Sequence, residues 1–160
     1  MGTGRRIARM GSAGLVALAL AAPATATAAR TTARADDFRA RATAVCSVEM
    51  GAVNRQIAAA NAAKTAAQQS KQLVGLARAL RRLSTGLSAL AAPPQVTTAN
   101  EWRDLTGLTR VAADDYEVVA ADIKRGANAV GIRAYLARAK GEVALAKIAA
   151  KKLGLTACSR

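Results

Sequence analysis

The sequence predicts an all-α protein, an up-down-up-down four-helix bundle, on three observations. Apolar residues recur at alternating spacings of three and four over four successive stretches. Alanine, the best helix former, dominates the composition, and all three prolines fall outside those stretches. Aromatic residues make up only 2% of the chain, so the core has to be built from small and aliphatic side chains. At 160 residues the chain is long enough for one such core and one domain.

Residues 1–28 read as a signal peptide and are set apart from the bundle. "MGTGRRIARM" carries Arg5, Arg6 and Arg9. "GSAGLVALALAA" is an apolar run, too short to cross a bilayer as a helix. "PATATAA" then offers small-residue cleavage sites ending at Ala26 or Ala28. The Arg5-Arg6 pair raises the twin-arginine route, but its surroundings match that signal poorly, which favours general secretion. No later apolar run is long enough to span a membrane. The expectation is a secreted, extracytoplasmic protein with no transmembrane segment after cleavage, folded over residues 29–160.

The first helix is expected over 36–62, capped by Asp36 or Asp37. Cys46, Met50, Val53, Ile57 and Ala60 define its buried face. "NAAKTAAQQSKQ" holds no Gly or Pro, so the break before the second helix is open between Asn61 and Ser70. The second helix, 66–92, carries the clearest seam: Leu73, Leu76, Leu80, Leu83, Leu87 and Leu90. Pro93-Pro94 ends it.

Thr98 followed by Glu101 is a capping-box pattern that opens the third helix, 98–125. Its apolar face runs through Trp102, Leu105, Thr109, Ala112, Tyr116, Val119 and Ile123, and Gly126 allows a left-handed exit. The fourth helix, 128–153, has Ile132, Leu136, Ala139, Val143, Ala146, Ala150 and Leu153 on its seam and Gly154 as its stop. In this topology the start of the first helix and the end of the fourth share a pole, which brings Cys46 to Cys158. Two cysteines in an exported chain make one disulfide the economical reading. Closing a loop of that size contributes about 4–5 kcal/mol in chain entropy.

The chemistry on offer is narrow. There is no histidine, which removes the commonest metal ligand and general base and the Ser-His and Cys-His nucleophile systems. The Glu-x-x-His pairs of bundle-type dimetal sites are excluded with it. The densest acidic cluster, Asp114, Asp115, Glu117 and Asp122, does not converge on a helix and reads as solvated charge paired with nearby Lys and Arg. Glycines within helices (Gly51, Gly75, Gly107 and Gly141) follow no phosphate-loop pattern and read as points of close helix packing. No catalytic residue, metal site or cofactor is predicted.

Positive charge is the remaining feature. Removing Arg5, Arg6 and Arg9 from 24 basic residues leaves 21 against 10 acidic ones, a net charge of +11. Lys64, Lys71 and Arg78 recur every seven residues opposite the leucine seam, flanked by Arg81 and Arg82. Arg133, Lys140 and Lys147 form a second row, continued by Lys151 and Lys152. These ten residues are the candidate anion-binding set.

The early cysteine followed by "NRQIAAA", the double proline, "EW" opening a helix, the glycine-marked turn and the "LGLTAC" ending together resemble a group of small exported actinobacterial proteins. The resemblance runs from Cys46 to Cys158. It implies secretion and a helical fold with a cysteine near each end, and it brings no activity with it.

The reading is therefore a non-enzymatic exported bundle of the cell envelope or extracellular space. Its partners would be an anionic envelope polymer, lipid headgroups or another protein. Nucleic acid is the weakest partner, because the product leaves the cytoplasm and has few aromatics for stacking. Two alternatives stand beside it: a small secreted helical enzyme of chorismate mutase type, and a carrier of an apolar ligand held between loosely packed helices.

Overall fold

The computed structural model describes the backbone of residues 24–91 and 96–160, and the side chains of residues 36–91 and 98–160. Four long helices, α1 (Ala24–Ala62), α2 (Ala66–Ser88), α3 (Val96–Arg125) and α4 (Ala129–Lys152), run up, down, up and down, and a single turn, α5 (Thr156–Ser159), follows. No strand occurs among the described residues. Each helix packs on the next in sequence: α1 on α2, α2 on α3, α3 on α4. The backbones of α1 and α4 do not approach each other closely among the described residues, and α5, packed on both, closes that side.

The closure is covalent. Cys46 and Cys158 form a disulfide across a sequence separation of 112, with Cα atoms 5.0 Å apart. Gly154 takes a φ of 73°, which turns the chain out of α4 and lets the Leu155 N–H donate to the Ala150 carbonyl at 2.9 Å. Leu155 is thereby fully buried, and Cys158 is carried back over α1. Gly126, at φ 68°, ends α3 in the same way, with the Ala127 N–H on the Asp122 carbonyl at 2.9 Å.

The helix seams are as the spacing predicts, and the bounds agree within two residues except at the start of α1 and the end of α2. α1 is continuous from Ala24 to Ala62, an alanine-rich stretch with no proline and a single glycine. Asp36 and Asp37 therefore lie inside α1 and do not cap it, and Asp37 pairs with Arg41 one turn on. The segment up to residue 23, with the basic and apolar parts of the expected leader, lies outside the described residues, as does Pro93-Pro94. α2 stops at Ser88 and not at 92, and its last turn tightens with the Leu90 N–H on the Leu87 carbonyl at 3.0 Å.

The capping box sits at a different helix from the one expected. Thr65 is the N-cap of α2, its hydroxyl accepting from the Gln68 N–H at 3.1 Å. The Gln68 carboxamide oxygen in turn accepts from the Lys64 N–H at 3.1 Å. Thr98, by contrast, lies within the first turn of α3, and Glu101 reaches across to Lys152 on α4 at 2.7 Å. Asn128 caps α4, accepting from the Val130 N–H at 2.8 Å.

The leucine seam of α2 forms the centre of the core. Leu73, Leu76, Leu80, Leu83 and Leu87 are at most 5% exposed. Phe38 of α1 and Trp102 of α3 meet edge to face with centroids 4.8 Å apart. A second, small-residue strip on α2 packs on α3: Ser70, Ala77 and Ser84, seven apart and all buried. The Ser70 hydroxyl donates to the Ala120 carbonyl at 2.7 Å and the Ser84 hydroxyl to the Thr106 carbonyl at 2.9 Å. Gly86 brings α1 close, since a Cβ there would stand 2.9 Å from a Val45 methyl. Gly107 and Gly141 have open space beside their Cα atoms, so close packing does not explain them.

Candidate anion-binding sites

The structure divides the ten candidate cations into those already neutralised and those left free. Arg81 of α2 spans to α3, holding Glu117 at 2.6 Å and Asp114 at 2.8 Å. The hydrogen bonds it donates to Asp114 and Glu117 raise its pKa further above its ordinary value. Arg82 reaches the other way, to Glu49 of α1 at 3.1 Å, and Lys152 is held by Glu101. These three cations strap neighbouring helices together and offer little to an outside anion. Lys64, Lys71, Arg78, Arg133, Lys140, Lys147 and Lys151 have no carboxylate partner among the described residues.

The free cations are not one surface. Lys71 and Arg78 line a shallow groove of about 510 Å³ along α2, with Lys124 from the last turn of α3. No carboxylate lines this groove. Its α1 wall is Gln56, whose carboxamide lies so close to Gly75 that a Cβ there would meet its oxygen at 2.4 Å. Lys64 stands in the turn before α2, and Lys151 at the disulfide end of α4. Lys147 is half-buried, its stem against a small void of about 30 Å³ beside Met50, Leu105 and Cys158.

Arg133 and Lys140, seven residues apart on α4, belong to a different place. They line a cavity of about 280 Å³ at the pole opposite the disulfide, where all four long helices contribute. Its walls are Ile57, Leu73, Leu76, Val119, Ile132 and Leu136. The seams fail to close here: Ile57, Ile123, Ile132 and Leu136 are only half-buried, while the same seams are sealed at the disulfide end. Tyr116 lines the cavity as well, and burial raises the pKa of its phenol.

The acidic cluster is a structural device. Asp114 and Glu117 serve Arg81, and Asp122 serves Arg125. Asp115 is not the solvated charge its neighbours suggested: it is 2% exposed and takes both arms of the Arg138 guanidinium. Arg138 also lies 5.2 Å over the Tyr135 ring and 3.8 Å from Glu142. The Glu142 pKa is raised, first by burial and then by the neighbouring Asp115 carboxylate, with Arg138 opposing.

Sequence spacing missed Lys124, Tyr116 as a polar group, and the Asp115–Arg138 pair. Tyr116 was assigned to a core seam, and Lys124, in the last turn of α3, lies outside both heptad rows. The third joins two helices and leaves no local pattern. The strip of Ser70, Ala77 and Ser84 did leave one, a heptad of small residues beside the leucines.

Comparison of the chain with protein-family models, with curated proteins and with solved structures gives no match. No helix among the described residues is long and apolar enough to cross a membrane. Together with the disulfide, this is compatible with an extracytoplasmic protein.

Proposed function

We propose that this is an exported, non-enzymatic helical protein that binds an anionic polymer of the cell envelope along the outer face of α2. The observation that carries the reading is the sorting of charge on that helix. In its C-terminal half, Arg81 and Arg82 are consumed by carboxylates on both neighbours. Between its start and its middle turn, Lys71 and Arg78 share a groove with Lys124 and face no carboxylate. A repeating phosphate or carboxylate chain, with many weak charges in series, matches such an open groove better than a compact ligand does. Export supplies the setting: the basic and apolar leader followed by small residues directs the chain to where such polymers are found.

The test is binding of the oxidised protein to a poly(glycerol phosphate) across a sodium chloride series. Affinity falls steeply with salt, and the triple variant Lys71→Glu, Arg78→Glu, Lys124→Glu loses it while circular dichroism and unfolding midpoint stay unchanged. Salt-insensitive binding, or wild-type binding by the triple variant, sinks the reading. Intact mass of the exported protein fixes the cleavage site and shows the oxidised cysteine pair.

A further inference from the structure

We propose that the cavity at the pole opposite the disulfide binds a small amphipathic anion: one alkyl or aryl group ended by a carboxylate or phosphate. This goes beyond polymer binding on α2 and uses different residues.

Three features converge on that ligand. The first is an incomplete core. Ile57, Ile132 and Leu136 lie on otherwise well-buried seams, yet here they surround about 280 Å³ of space. That is close to the lower end of small-ligand sites, about 300–1,000 Å³, so the apolar part is a single short chain or one ring system. An apolar group seated there removes these side chains from water, as the core does elsewhere.

The second is one-sided charge. Arg133 and Lys140 stand along α4 at the cavity with no carboxylate partner, and no acidic residue lines it. Elsewhere on the same helix, Arg138 and Lys152 do have carboxylate partners. Two cations beside an apolar wall suit an anionic headgroup and repel a cationic one.

The third is Tyr116. It is a lining residue of the cavity, and its phenol, protonated at neutral pH, is a donor suited to a headgroup oxygen. The cavity lies away from the closed end, since α1 and α4 do not pack backbone to backbone and α5 packs on both at the disulfide pole.

The experiment titrates the oxidised protein with four probes sharing one tail: decanoate, decyl phosphate, decanol and decyltrimethylammonium. Calorimetry reads stoichiometry and affinity. Decanoate or decyl phosphate binds one to one, at least about tenfold more tightly than decanol, and the ammonium does not bind. Whichever anion is preferred identifies the headgroup. The surface variant Arg133→Glu, Lys140→Glu loses that anion preference and keeps the decanol affinity. Ala60→Phe, which fills the cavity from α1, loses all binding, with α2 polymer binding and the unfolding midpoint as controls on the fold. No saturable binding by any probe overturns the proposal. So does equal affinity for anion and alcohol, or binding that survives Ala60→Phe in a folded protein.

Discussion

Asp115, 2% exposed on α3, accepts both hydrogen bonds from Arg138 on α4, whose own side chain is 57% exposed. The pair is lopsided, one charge taken from water and the other left in it. Removing the exposed partner strands a buried carboxylate, whereas removing the buried one returns the guanidinium to solvent. Arg138→Ala is therefore expected to lower the urea midpoint more than Asp115→Ala, though it deletes the more exposed residue. The reverse order, read by fluorescence of Trp102, refutes this account.

Glu142 supplies a pH dependence. Its folded pKa lies above the unfolded value, so the native state binds the extra proton between the two. Stability is then greatest below the unfolded value, falls as pH rises through the folded pKa, and is level above it. Glu142→Gln removes that segment. Thermal melts should show the variant more stable than the parent at neutral pH, with the gain vanishing below about pH 4.

Reduction tests the closure of the ring. Losing the Cys46–Cys158 link frees a loop of 112 residues and costs about 4–5 kcal/mol in chain entropy. The Cys46→Ser, Cys158→Ser double variant, unfolded in urea, should match the reduced parent. Hydrogen exchange should show α5 opening first, since it rests on α4 and α1 alone.

Glycines divide by what stands beside them. Gly107→Ala and Gly141→Ala meet nothing within 4 Å and should each stabilise by up to about 1 kcal/mol from helix propensity. Gly86→Ala drives a Cβ into Val45, a stiff branched side chain, and should cost about 1–3 kcal/mol instead. Urea unfolding of the three variants separates the two classes.

The seams were legible because a helix repeats its buried face every three or four residues, and Leu73 to Leu87 did so without interruption. The Cys46–Cys158 pairing followed from topology once four helices were counted. Capping was legible in principle: Thr65 and Gln68 have the same spacing as Thr98 and Glu101. Spacing alone could not say that Glu101 spends its carboxylate on Lys152. The cavity was hidden for a deeper reason. Periodicity says which face Ile57 and Leu136 present to the core, and nothing about how far apart those faces end up. Asp115 was misjudged likewise, because the residue that makes its burial tolerable sits on another helix.

The disulfide also decides how the molecule bears load. Force applied outside the linked pair passes from Cys46 to Cys158 through a single covalent bond, and the bundle between them carries almost none of it. A stretched oxidised molecule extends only by the segments outside the pair. Reduction would release the 112-residue loop, about 400 Å of contour. Between Cys46 and Cys158 the protein is a short inextensible link when oxidised and a long yielding one when reduced.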